Sequence, residues 1–178
     1  TSPPDDNFEV AMFAWNAPLP RLEQISYKIC DNADQIQPVT CDAQNTARTG
    51  TDLEGVIRLR MGVKAIGSTL TGKTFKLQYA SSSSTCAAAT GFTDISSTTA
   101  VNVAWRGYNN TPADGAAITA NLLTGATVLE TYEETSNATQ ATDVTAGNTG
   151  EWDWAVENYF AGSGQKYCFR MLESDGTL

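Results

Sequence analysis

The chain contains no histidine among its 178 residues. That removes the commonest general base and the commonest transition-metal ligand together. Without His, and without a GxSxG elbow, a serine hydrolase triad is excluded. No CxxC spacing occurs, so a zinc knuckle or thioredoxin-like site has no basis. No apolar run approaches the roughly 20 residues of a membrane-spanning helix. Charged residues make up 17% of the chain, against about 25% in an ordinary globular domain. Basic residues are the scarcer sign: 11 Lys and Arg against 20 Asp and Glu leave a formal net charge of -9. Such a surface repels phosphate backbones and anionic membranes, which argues against nucleic acid as a partner. No internal repeat is evident.

What is present has the length of one domain and enough apolar content, 41%, to bury a core. Its clearest stretch runs from Gly55 to Tyr79. Ile57, Leu59, Met61 and Val63 alternate with Arg58, Arg60, Gly62 and Lys64; Phe75, Leu77 and Tyr79 alternate with Lys76 and Gln78. A period of two puts each apolar set on one face of a strand and each polar set on the other. With turn chemistry at Gly67-Ser68-Thr69 and Thr71-Gly72-Lys73, the pattern predicts a hairpin-like pair. Its inner face is apolar and its outer face wet and basic. A sheet with one buried face needs a second layer, hence a sandwich.

Further alternation predicts strands at Ile25–Cys30, at Val101, Val103 and Trp105, and at Val128–Glu134. Trp152, Trp154 and Val156 form another, joined through Ala161-Gly162-Ser163-Gly164 to Tyr167, Phe169 and Met171. Ala116–Leu123 suits a short helix or a strand. Roughly seven to nine short strands fit an all-β, immunoglobulin- or fibronectin III-like β-sandwich. Four cysteines in an acidic, Lys-poor chain read as two disulfides of an exported protein. Of three pairings we favour Cys30–Cys41, across a short loop, and Cys86–Cys168, tying a mid-chain loop to a late strand. A start at Thr1 fits a processed end.

The division expected is an N-terminal arm with a Pro linker over 1–21 and a sandwich domain over 22–178. In the arm, Phe8, Val10, Met12 and Ala14 share one parity and Phe13 and Trp15 the other, before Ala17-Pro18-Leu19-Pro20 breaks the strand. Phe8–Trp15 is either the first strand of its own sheet or a strand given to a neighbour.

From Ser26 onward the chain resembles a module of large secreted and cell-surface bacterial proteins, often tandemly repeated and of poorly defined function. The likeness is carried, in order, by Gln44-Asn45-Thr46-Ala47, Arg58-Leu59-Arg60 and Gly72-Lys73-Thr74-Phe75-Lys76-Leu77-Gln78-Tyr79, then by Cys86 and Asp114-Gly115-Ala116. Tyr132-Glu133-Glu134, Gly150-Glu151-Trp152-Asp153, Tyr167-Cys168-Phe169-Arg170 and Ser174-Asp175-Gly176-Thr177 complete it. The resemblance implies a secreted β-sandwich, supports the Cys86–Cys168 pair and implies no enzyme activity. The module carries a further extended segment after its SDGT stretch, where this chain stops at Leu178. Residues 1–21 match nothing in it. The expectation is a sandwich short of one closing strand and bearing a spare one, which suits strand donation between copies.

Other candidates are weighed as follows. Glu130, Glu133, Glu134, Glu151 and Asp153 could supply a glycosidase-type acid/base pair, but read as solvated edge and loop charges. The acidic, Gly-bearing loop Asp143–Asp153, the Asp31/Asp34/Asp42 set and Asp52/Glu54 offer oxygen ligands that suit calcium. They lack an EF-hand register, and the expectation is no metal and no cofactor. Trp15, Trp105, Trp152 and Trp154 with Tyr108 could stack on sugars, but in a sandwich they read as core. Asn109 and Asn137 open N-glycosylation sequons.

The expected function is a non-enzymatic extracellular structural subunit. It joins head-to-tail into a pilus-like surface filament or coat, with Phe8, Val10, Met12, Phe13 and Trp15 as donated face and itself as partner. The alternative is a monomeric adhesion or carbohydrate-binding module using loops such as Tyr108–Gly115.

Overall fold

The computed structural model describes residues 21–38, 40–49, 54–82, 85–162 and 164–174. Among them there is no α-helix; a single 3-10 turn spans Cys86–Ala88. Nine strands form two sheets. They are β1 (Arg21–Asp31), β2 (Val56–Ile66), β3 (Thr74–Ser82), β4 (Thr93–Asp94), β5 (Trp105–Gly107), β6 (Val128–Glu133), β7 (Ala138–Thr139), β8 (Thr149–Asn158) and β9 (Lys166–Glu173).

The first sheet runs β1-β2-β8. Its far side is shared: β5 pairs antiparallel with the end of β8, and β6 pairs parallel with its start. In the second sheet β3 is central, with β9 on one side and the short β4 and β7 on the other. The apolar parity of each central strand points between the sheets. Ile57, Leu59, Met61 and Val63 from β2 meet Trp152, Trp154 and Val156 from β8, Phe75 and Leu77 from β3, and Met171 from β9. Phe75 packs on Trp152 at 4.9 Å between ring centroids. Trp105 takes the rings of Tyr167 and Phe169 edge-on at 5.9 and 5.0 Å. The chain is thus a disulfide-stabilised all-β sandwich. The pairs are Cys30–Cys41 and Cys86–Cys168, the two favoured on sequence.

Three local expectations are corrected. β2 and β3 are not a hairpin. Both edges of β2 are taken, by β1 and β8, so the link over 67–73 carries the chain into the other sheet. The link from β8 to β9 crosses in the same way. Val101 and Val103 are not in a strand; β5 begins only at Trp105, and Val101 is exposed. Ala116–Leu123 is neither helix nor strand. It runs irregularly past β6, touching the ladder at one bridge, Ala117 to Thr131. β1 starts at Arg21, the last position given to the arm. Where β5 ends, Gly107 lies so close to the next loop that a Cβ would sit 1.7 Å from the Glu134 carbonyl oxygen. Only glycine lets the chains pass there.

Candidate functional site

The outer face of the first sheet is not wet. All ten residues of β8 are buried, and Arg58, Arg60, Glu151 and Asp153 each have 0% exposure. Register explains the charges: Arg60 stands opposite Asp153, with Arg58 and Glu151 diagonal neighbours on the same face. Arg58 forks onto Asp153, with Nε 3.1 Å from Oδ1 and Nη2 on Oδ2. Arg60 Nη1 donates to Glu151 Oε1 at 2.9 Å, and its Nε lies 2.9 Å from Asp153 Oδ2. Two arginines and two carboxylates make a layer of zero net charge.

Their remaining valences hold the loops that cover them. Arg58 donates to the carbonyls of Ala33, Gln35 and Ile36 and lies 4.3 Å over the Tyr132 ring. Glu151 accepts from the Leu122 and Leu123 amides. The expected basic outer face is therefore a second buried interface, between a sheet and two loops.

The other candidate acids are buried as well, which corrects the solvated reading. Glu130 Oε2 accepts from the amides of Ala141 at 2.8 Å and Thr142 at 3.2 Å. Glu134 Oε1 takes the Asn110 amide at 2.6 Å and the Tyr132 hydroxyl at 2.8 Å. Glu133 accepts from Thr131 Oγ1. Each acid is committed to its own loop or neighbour.

Burial pushes the carboxyls of Glu130 and Glu133 up to about 7, against the hydrogen bonds that favour their charged forms. Burial also raises the Tyr132 phenol, so it stays a donor to Glu134. A sign follows for stability. Between about pH 4.5 and 7 the folded state keeps these protons and the unfolded state releases them, so stability falls as pH rises. We expect urea unfolding to show a loss on the order of 3 kcal/mol for each of the two groups from pH 4.5 to 8. A Glu130→Gln/Glu133→Gln variant should flatten that slope. An equal slope in the variant would assign the pH dependence elsewhere.

The remaining sequence candidates are placed as follows. Trp105, Trp152 and Trp154 are core, not a sugar platform. Asn109 and Asn137 are exposed in loops. Asp31 and Asp42 share Arg48, each at 2.8 Å, and Asp34 accepts from the Thr111 hydroxyl and amide. The Thr111 hydroxyl, then its amide, holds the Asp34 carboxyl below the usual range. Among the described residues no three Asp, Glu, Cys or His side chains gather as a cation site. A polar cavity of about 470 Å³ is lined by Asn32, Asp34, Tyr108, Asn109, Asn110 and Thr111. Phe8, Val10, Met12, Phe13 and Trp15 lie outside the described residues.

The two sheets differ at their outer strands. The free side of β1 is covered from Tyr27 to Asp31. The Tyr27 amide donates to Asn45 Oδ1, the Tyr27 carbonyl accepts from the Asn45 amide, and Ile29 and Asp31 bond to Asp42 and Thr40. The Cys30–Cys41 disulfide fastens that cover.

At β9 the outer side is different. Leu77 directs its amide to Ser136 Oγ and its carbonyl to the Ile95 amide, both away from β9. Its partner Met171 gives its amide to Gln24 Oε1, away from β3. In an antiparallel ladder every second residue behaves alike. So Tyr167, Phe169, Met171 and Glu173 all aim backbone groups outward. Among the described residues only the Met171 amide has a partner there. Tyr167 and Phe169 are half-buried at this edge. Alternation marked them as strand residues, but nothing in a linear pattern shows which strand ends a sheet.

No protein-family model, no curated protein and no solved structure matches this chain.

Proposed function

We propose that the chain is a non-enzymatic extracellular structural subunit that assembles head-to-tail by β-strand donation into a surface filament or coat. The observation that carries this reading is the contrast between the two outer strands. Over Tyr27–Asp31 β1 is covered by a disulfide-tied segment, whereas β9, among the described residues, offers a row of backbone groups beside half-buried aromatic side chains. Such an edge is a template for another strand. The chain supplies a segment of the right pattern, Phe8–Trp15, ahead of a Pro-x-Pro linker. Main-chain hydrogen bonds would give affinity and alternate side chains specificity. Because donor and acceptor are different surfaces, the contact repeats without closing, which makes a fibre. Two disulfides favour an oxidising, extracellular setting. The likeness to immunoglobulin- or fibronectin III-style modules of secreted bacterial surface proteins points the same way.

A second reading draws on the polar cavity beside Tyr108, whose amide, carboxylate and aromatic lining suits a glycan. It corresponds to a monomeric adhesion module. One measurement separates the two: the size, by light scattering, of the oxidised chain and of a variant lacking Thr1–Pro20. Assembly calls for large particles from the full chain and a monomer from the shortened one. Two monomers of equal stability would overturn it and turn attention to glycans at Tyr108.

A further inference from the structure

We infer that the polar cavity beside Tyr108 takes a neutral sugar by two adjacent hydroxyls, with the Asp34 carboxylate accepting their protons and the Asn109 amide donating to their oxygens. The inference rests on the second reading above and names the chemistry of that site. It holds whether or not copies assemble. At about 470 Å³ the cavity lies within the size range of small-molecule sites. Two loops form it. The loop after β1 brings Asn32 and Asp34, and the loop after β5 brings Tyr108, Asn109, Asn110 and Thr111.

What a ligand can meet there depends on which hydrogen bonds the protein already makes. The Asn32 and Asn110 amides donate to each other's oxygens, both at 3.0 Å. Asn110 gives its second amide proton to the Tyr132 hydroxyl at 2.9 Å and its backbone N–H to Glu134. Tyr132 and Glu134 are buried, so these bonds fix the floor of the cavity to the body of the domain. The Tyr108 ring packs against the buried cluster of Ile118, Tyr132 and Ala155, and its backbone N–H donates to the Ala155 carbonyl. Three groups are left for a ligand. The exposed Asp34 carboxylate accepts the Thr111 amide on one oxygen and the Thr111 hydroxyl on the other, and each oxygen keeps a lone pair. The Asn109 side chain and the Tyr108 hydroxyl have no hydrogen-bond partner among the described residues.

A hydroxyl gives and accepts a hydrogen bond at once, so it suits a carboxylate beside an amide, and two neighbouring hydroxyls engage both carboxylate oxygens. Asp34 is the only charged residue among the described ones that line the cavity. An acidic sugar therefore meets a like charge with no cation to offset it. The lining holds one ring and no aliphatic side chain, which leaves an apolar ligand little to bury against.

The test is frontal affinity chromatography over the immobilised, oxidised chain. The probes are methyl glucoside, methyl galactoside and methyl mannoside, each beside its uronic acid counterpart. The tightest neutral probe should be held at least fivefold more tightly than its uronic acid. Its monodeoxy analogues should single out two neighbouring positions, each worth about tenfold. Asp34→Asn should weaken binding about tenfold and erase the preference over the uronic acid; Asn109→Ala should weaken it roughly fivefold. Both residues are exposed, and unchanged urea midpoints would show that the variants fold. Losses spread evenly over the deoxy series, or a uronic acid held as tightly as its neutral partner, would overturn the inference and leave a glycan at Tyr108 standing. Retention that both variants leave unchanged would put the sugar elsewhere and overturn the inference together with the second reading. Failure to retain any probe would do the same.

Discussion

Asp153→Ala is expected to cost about 3–5 kcal/mol, a large share of the roughly 5–15 kcal/mol that holds a domain folded. Asp153 stands between two arginines with no exposure on any of the three side chains. Removing it leaves Arg58 without a carboxylate and Arg60 with Glu151 as its one remaining carboxylate. The cost comes from stranded, desolvated charge rather than from the attraction lost. That distinction is testable. An Arg58→Met/Asp153→Leu pair, which withdraws both charges and keeps the volume, should recover much of the loss. Urea midpoints for the single, the double and the wild type measure it. A single-variant loss below about 1 kcal/mol, the value of an exposed ion pair, would mean that solvent reaches the layer.

The two disulfides should be unequal. Chain-entropy accounting gives about 4.5 kcal/mol for Cys86–Cys168, which spans 82 residues, and about 3 kcal/mol for Cys30–Cys41, which spans 11. Structure adds to the difference. Cys168 lies in β9, which among the described residues pairs with β3 alone, and its bond to Cys86 fastens the loop after β3 to it. We expect Cys86→Ala/Cys168→Ala to lower the guanidinium midpoint more than Cys30→Ala/Cys41→Ala does. The reverse order would show that the cover over β1 carries more of the stability than the clasp on β9.

How much of this was legible depended on whether the information is local. Alternation located β1, β2, β3, β8 and β9, and the parity of Trp152 and Trp154 correctly sent them to the core. The disulfides could be paired because few combinations exist. The error at Arg58 and Arg60 has a definite cause. A period of two separates two faces, but polarity does not say that the polar face meets water. Whether it does depends on partners 91 and 95 positions away. The same holds for Glu130 and Glu133, whose burial comes from a loop layer with no periodicity to announce it. The hairpin failed for a topological reason: β2 already had two partners, one of them far downstream. The outer side of β9, open among the described residues apart from the Met171 amide, was hidden likewise, since an edge is defined by which strands do not arrive.

The position of β8 has a kinetic side. β2 finds its second neighbour only after some ninety further residues have been made, and the arginines it carries are tolerable only when that neighbour brings Glu151 and Asp153. Pairings this distant in sequence close large loops before they are rewarded, and they fold slowly. A chain leaving a ribosome or an export pore holds β1 and β2 with one long strand unpartnered until residues 149–158 emerge. Completion of the first sheet therefore acts as a check on chain integrity. A chain cut short before β8 cannot bury its own cations, and it reaches no stable folded state.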